Sequence, residues 1–253
     1  MKADNVVVRP CAGMDELEQC VQLEVSTWGY ADGDLVPRKM FLLAQKIGGQ
    51  VFGAFDGSRM AGFAMALPGY RNGMPYLHSH MLAVLPEYRN HGLGRRMKLA
   101  QRDDALARGI QLIEWTFDPL EIKNAYLNIV KLGAIARRYT PDFYGASSSP
   151  LQGGLPTDRL HAEWWIGSDR VRAVLDGGTA PHSPQAGDVE TITVPHAVYE
   201  WKQSVAERER AGQVQAQNRE HFRQLFAQGL AVTGFQRDAG GNGSYKLTRY
   251  ADD

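Results

Sequence analysis

The densest chemical signal in the sequence is the run Leu82-Ala83-Val84-Leu85-Pro86-Glu87-Tyr88-Arg89-Asn90-His91-Gly92-Leu93-Gly94, where a strand reads straight into a glycine-bearing turn and then a helix. That order suits an anion. Glycines let the backbone approach closely, and the unpaired N–H groups of a first helical turn point along the positive end of the helix dipole. A phosphate loop of the NTPase kind would need Gly-Lys-Ser/Thr, which is absent, and a dinucleotide loop would need a third glycine where Met97 stands. What remains is Arg89-x-x-Gly92-x-Gly94. From Arg89 to Arg108 the basic residues Arg89, Arg95, Arg96, Lys98, Arg102 and Arg108 face only Asp103 and Asp104, so a chain of zero formal charge concentrates positive charge here. The plainer reading of the same residues is a helix start with packing glycines and solvated arginines.

Just upstream stand His78 and His80. Two residues apart on a strand without a bulge, they point to one side. With an ordinary pKa of about 6.5, imidazoles take up or pass on a proton near neutrality. Packed or hydrogen-bonded strand histidines are the alternative. A zinc pair is weaker, since no nearby Cys, Asp or Glu supplies further ligands.

The elements that must position these groups follow from periodicity and turn residues. A strand at 6–8 leads to a helix over 14–25, with Leu17, Cys20, Val21 and Glu24 at helical spacing. A second helix spans 36–47 with Met40, Leu43, Ala44 and Ile47 on one face, closed by Gly48-Gly49. Strands at 51–55 and 60–67 flank Asp56-Gly57-Ser58-Arg59 as a hairpin, and 76–85 is the third strand. Helix 92–108, strand 110–117, helix 120–132, strand 134–139, an uncharged loop over 143–157 and strand 162–166 follow. Antiparallel neighbours at the front and strand-helix-strand units behind predict an α/β (α+β) fold, a twisted mixed sheet flanked by helices. The Gly-, Pro- and Ala-dense stretch 177–187 reads as a linker. Beyond it a strand at 190–194, a polar helix over 198–228 and a hairpin of 230–236 with 244–248 form a small C-terminal α/β extension. The predicted domains are therefore 1–176 and 188–253.

Composition narrows the function. At 253 residues, 43% apolar and 22% charged, the chain can bury a large core without disulfides. Lys+Arg and Asp+Glu both number 28, which argues against nucleic acid as a partner. Cys11 and Cys20 have neither metal-ligand nor disulfide-framework spacing, and no apolar run approaches the length of a membrane span. The charged start with a proline is unlike a signal peptide. The expectation is a cytoplasmic protein with no membrane partner and no metal.

With Val84 and Arg89 spaced as Val-x-x-x-x-Arg ahead of Gly92-x-Gly94, the sequence resembles the GNAT superfamily of N-acyltransferases. The order of elements from residue 6 to about 166 is that of the superfamily. The run Trp115-Thr116-Phe117-Asp118-Pro119-Leu120 and the later Tyr139-Thr140-Pro141-Asp142-Phe143-Tyr144-Gly145 look like a branch of predicted bacterial acetyltransferases. The resemblance implies a co-substrate, acetyl-CoA or another acyl-CoA. Its pyrophosphate would be gripped by Arg89, Asn90, His91, Gly92, Leu93 and Gly94 with Arg95 in support, and its pantetheine arm would pair with the backbone of Leu82, Ala83 and Val84. Asn124, on what looks like the next family helix, completes the implied cofactor contacts.

Acyl transfer to an amine requires a base, a donor at the thioester oxygen and a proton for the departing thiolate. His78, His80, Leu82, Ala83 and Val84 are similar in register to the His-x-His-x-Leu-Ala-Val of arylalkylamine N-acetyltransferases, which implies that His80 and His78 relay the amine proton. Glu114 is the reserve base. The tyrosine that many members supply as general acid is replaced by Ile129. Tyr126, three residues earlier and on nearly the same face of an α-helix, is the first substitute, followed by Tyr139 and Tyr144. The acceptor would be a small-molecule amine or amino acid, with Trp28 and Tyr30 as pocket walls and Arg137 and Arg138 as carboxylate binders, which would also suit a succinyl donor. The competing reading is a CoA-binding sensor without turnover. A homodimer is an admissible assembly under either.

Overall fold

The computed structural model describes residues 5–30, 32–178 and 189–250. The predicted linker falls, from residue 179 on, outside the described residues. The chain forms two compact units, residues 1–115 and 116–253.

In the first unit, strand β1 (Val7–Pro10) precedes helix α1 (Gly13–Trp28), which ends at Gly29 in the left-handed conformation with its N–H on the Val25 carbonyl. Helix α2 (Arg38–Lys46) begins after Pro37 and buries Phe41 and Ala44. Of the predicted face only Ala44 is buried: Met40, Leu43 and Ile47 are 42%, 45% and 53% exposed. The Phe41 ring, edge-on to Phe63 at 5.6 Å, sets the rotation, because the largest side chain of the helix claims the core. Strands β2 (Gln50–Asp56) and β3 (Arg59–Arg71) form the predicted hairpin, with Gly57 at φ 61° in its turn. Strand β4 (Met74–Val84) lies antiparallel to β3, and after the Pro86–Tyr88 turn comes helix α3 (Leu93–Ala107). Strand β5 (Leu112–Phe117) runs parallel to β4, with Leu77 opposite Ile113 and His78 opposite Glu114. Among the described residues that ladder ends there. The strand order is β1-β2-β3-β4-β5. Leu17, Cys20, Phe41, Phe63, Met65 and Met97 centre the core.

The second unit opens with a short helix α4 (Ile122–Ala125) that passes into a π-helical turn, Tyr126–Lys131. Strands β6 (Ile135–Thr140) and β7 (Arg159–Trp165) pair antiparallel, and helix α5 (Asp169–Leu175), not predicted, starts where Ser168 Oγ accepts from the Val171 N–H. The C-terminal segment supplies β8 (Glu190–Val194), α6 (Val198–Gln203), α7 (Arg208–Ala227), β9 (Leu230–Arg237) and β10 (Gly243–Arg249). The one long helix predicted over 198–228 is two, because Ser204 turns extended between them. β9 pairs with β6 at Val232 opposite Ala136, giving the order β7-β6-β9-β10-β8. Among the described residues, the parallel β4–β5 pair beside antiparallel neighbours, with helices alongside, is the mixed α/β architecture expected.

Candidate active site

Gly92 is the N-cap of α3 at φ 75°, a left-handed conformation that any side chain would strain, and a Cβ built there meets nothing within 4 Å. Asn90 is likewise left-handed at φ 64°. No side chain caps this helix and its first turn holds no acid. Arg96 is the first residue whose N–H reaches back into the helix, onto the Gly92 carbonyl at 3.0 Å, so the N–H groups of Leu93, Gly94 and Arg95 have no partner within it. The result is an open cradle of donors at the positive end of the helix, and it fits an anionic group such as a pyrophosphate.

Other contacts fix the cradle in place. Buried Tyr88 donates to Asp56 Oδ2 at 2.7 Å, Glu87 pairs with Arg59 at 2.5 Å, and Arg89 Nε donates to the Val84 carbonyl at 2.9 Å, tying the loop to the hairpin and strand before it. The absence of a Cβ at Gly62 matters here: one would lie 2.6 Å from the Ala83 carbonyl and 3.2 Å from Met97, so only glycine lets α3 pack this closely behind the strands. His91 and Asn90 are exposed and Leu93 is buried. The basic cluster is more dispersed than the sequence implies. Arg96 Nη2 donates to the Val6 carbonyl, Arg102 and Arg108 pair with Asp103 and Asp104, and Lys98 is buried. Arg89 and Arg95 lie at the helix start itself.

Along β4 the odd-numbered residues from Leu77 to Ala83 are buried, while His78, His80, Leu82 and Val84 share the opposite, more open face. The unbulged strand assumed from the spacing is corrected: Met65 faces Met81 while Leu67 faces His78, so β4 carries one extra residue between those positions. Alternation survives the bulge. The two imidazole centroids lie 6.2 Å apart at 38°, too far for a direct bond between ring nitrogens and close enough for one bridging water. His80 reaches solvent, yet the protein around it desolvates the ring and lowers its pKa below the ordinary value. Glu114, the reserve base, is buried beside His78 and ion-paired with Arg71.

In the second unit Asn124 is exposed on α4, and Tyr126, half-buried, opens the π-helical turn with the Lys131 ammonium 5.5 Å from its ring. The shared face expected for Tyr126 and Ile129 does not hold. A π turn bonds i to i+5, so residues three apart diverge, and Ile129 is buried. Tyr139 donates to Asp158 Oδ2 at 2.5 Å, and its phenol is pushed far up by burial and that carboxylate, which Arg219 also grips. Tyr144 Oη lies 3.0 Å from Thr116 Oγ1. Arg137 and Arg138 both pair with Glu163, which is fully buried. In the first unit Trp28 stacks on Tyr30 at 5.6 Å and meets Phe63 edge-on.

Sequence reasoning misses the polar cluster on the buried side of β4. Lys98 Nζ donates to Ser79 Oγ at 2.7 Å and lies 3.7 Å from the Trp115 ring centroid, while Ser79 donates to Gln101 Oε1 at 2.9 Å. A lysine at an inward position of a helix was the available signal. Among the described residues no group of three or more His, Cys, Asp or Glu is placed to hold a metal, and no helix is long and apolar enough to cross a membrane.

Residues 17–125 match the model of the acetyltransferase (GNAT) family. Three solved structures share the fold. The ribosomal-protein-S18-alanine N-acetyltransferase of Escherichia coli is 16% identical with a TM-score of 0.51, over 64% of this chain and 95% of its own. yncA from Salmonella typhimurium, solved with its cofactor acetyl-CoA, is 15% identical with a TM-score of 0.52, over 65% and 96%. Aminoglycoside 6'-acetyltransferase type Ii is 20% identical with a TM-score of 0.51, over 64% and 98%. No curated protein matches the sequence.

Proposed function

We propose that the protein, whose residues 17–125 match the acetyltransferase (GNAT) family model, is an acyl-CoA-dependent N-acyltransferase acting in the cytoplasm on the amine of a small molecule. The observation that carries this is the uncapped, open cradle at Gly92, directly after a strand that presents two imidazoles on one face. Acetyl-CoA would supply an activated acyl thioester. The N–H groups of Leu93, Gly94 and Arg95 hold its pyrophosphate, Arg89, Asn90 and His91 line the same turn, and the free side of β4 at Leu82, Ala83 and Val84 takes the pantetheine amides. The family resemblance adds Asn124 to the residues proposed for the cofactor.

His80 accepts the proton of the attacking amine on a ring nitrogen. Its lowered pKa keeps it neutral, and so able to accept, into mildly acidic solution. His78 passes the proton on through one water to solvent. Tyr126 is the first candidate to return a proton to the departing thiolate, and Tyr144, whose hydroxyl lies against that of Thr116, is the second. Tyr139 is excluded from that role by its bond to Asp158. The catalytic domain is assigned to residues 1–176, with 188–253 as an extension that lengthens the sheet through β9.

The proposal is tested by mixing the protein with acetyl-CoA and succinyl-CoA and a panel of amines and amino acids while following thiol release. Turnover with an amine is the expected result. A second reading, a CoA-binding module without turnover, is favoured by buried Ile129 at the family's tyrosine position and would follow from CoA binding with no thiol release in any pairing. Succinyl transfer is disfavoured because Arg137 and Arg138 already answer Glu163.

A further inference from the structure

Lys98 is a costly residue to bury. It is 4% exposed, burial pushes its ammonium well below the ordinary value, and its contacts are a serine hydroxyl and the face of Trp115. Methionine would fill the same space without a charge to desolvate. The groups behind it are also incompletely satisfied. The Gln101 carbonyl and Asp104 Oδ2 accept from Gln50 Nε2 at 2.8 and 2.7 Å, yet Gln101 Nε2 and Gln50 Oε1 find no partner among the described residues. Stability alone does not explain such an arrangement.

Its location does. Ser79 sits inside the β4 bulge, between His78 and His80, and its hydroxyl is held from below by two residues of α3. A bulge loosens a ladder and re-aims the side chains beside it, so its conformation must be fixed by something other than strand pairing. Here the fixing comes from the helix whose first turn is the anion cradle.

We propose that Ser79, clamped by Lys98 and Gln101, is a positioning residue that sets the bulge of β4 and through it the placement of the His78 and His80 imidazoles. The inference rests on the reading of those histidines as a proton relay. Neither Ser79 nor Lys98 touches substrate; both act through the strand.

The experiment compares wild type with Ser79→Ala, Ser79→Thr and Lys98→Met, the last keeping the packing against Trp115. Imidazole titrations of His78 and His80 are followed by NMR, with His161 and His196 as internal references. Ser79→Ala and Lys98→Met are expected to move the His80 titration back toward the ordinary imidazole value, and Ser79→Thr, which keeps the hydroxyl, to restore the wild-type curve. With an amine that supports turnover, kcat should fall about 10- to 100-fold, as for a catalytic group displaced by about 1 Å, while acetyl-CoA affinity holds. Unchanged histidine titrations in folded Ser79→Ala and Lys98→Met proteins would overturn the proposal. If no amine is turned over, the relay reading fails by that measurement and the titrations still decide whether the clamp positions the rings.

Discussion

The cradle that opens α3 and the cluster beneath β4 lie on one helix and are built in opposite ways. The cradle is made of backbone: a left-handed Gly92, a left-handed Asn90 and the first-turn N–H groups. The cluster is made of side chains drawn from β2, β4, α3 and β5, each of which needs another's donor or acceptor. A backbone site tolerates most substitutions and fails where a Cβ intrudes. A side-chain cluster is damaged at every member, because each loss strands a buried partner. On the proposed function, binding and chemistry should therefore respond differently to mutation, although one helix carries both constructions.

The most severe way to break the comparison is Gly92→Val. A β-branched residue at φ 75° is strained and its methyls fill the cradle, so CoA binding should vanish in calorimetry while the fold persists. Unaltered affinity would place the cofactor elsewhere. Next in size is His80→Gln, which should lower kcat/KM for the amine about 10²- to 10⁴-fold with CoA affinity unchanged, and should regain rate as rising pH deprotonates the amine itself. In wild type the acidic limb of the pH–rate profile should fall below the ordinary imidazole pKa, since desolvation lowers that of His80. A limb at or above that value would remove His80 from the role.

Glu24 sharpens the contrast between buried side chains and backbone. It is fully buried on α1, Oε2 accepts from the Val36 N–H at 2.9 Å, Oε1 has no partner among the described residues, and desolvation raises its pKa to about 7. A carboxyl that holds its proton more tightly folded than unfolded makes the protein most stable below the unfolded value of about 4.5, with stability lost as pH rises toward 7. The loss is at most about 3 kcal/mol. Denaturation of Glu24→Gln across that range should be flatter by this amount, and parallel curves would show that the carboxyl ionises without penalty. The smallest effect is expected of Arg95→Ala, which should weaken CoA binding by about 0.3 to 2 kcal/mol, less at high salt. A loss that ignores salt would mean that Arg95 acts by packing.

The cradle was legible because its signals are local. Gly92, Gly94 and the strand before them lie within one short run, and the Asp56-Gly57-Ser58-Arg59 hairpin is read the same way. The signals of α5 are equally local, with Ser168 as its cap and Asp169 in its first turn. The buried face of α2 was not legible because periodicity allows two adjacent rotations, and only the fit of Phe41 against Phe63 chooses between them. The turn at Tyr126–Lys131 was missed because an i to i+5 ladder uses the same residue types as an α-helix. The Lys98 cluster joins β2, β4, α3 and β5 by contacts between residues 17 to 54 positions apart, and no spacing rule spans such distances.

The ladder between β4 and β5 stops at His78 and Glu114, six residues before β4 ends. Beyond that point, among the described residues, no strand ladder continues along the side of β4 away from β3, and the Val84 carbonyl is met by the Arg89 side chain. Such a strand edge is a template for any extended chain, and proteins ordinarily blunt it with charge, proline or cover. At Leu82-Ala83-Val84 this one carries apolar residues instead. On the proposed reading, the acyl-CoA that pairs there would also be the edge's cover. Protein freed of acyl-CoA should associate with itself through β4, and added CoA should return it to smaller species while slowing exchange of the Leu82 to Val84 amide hydrogens.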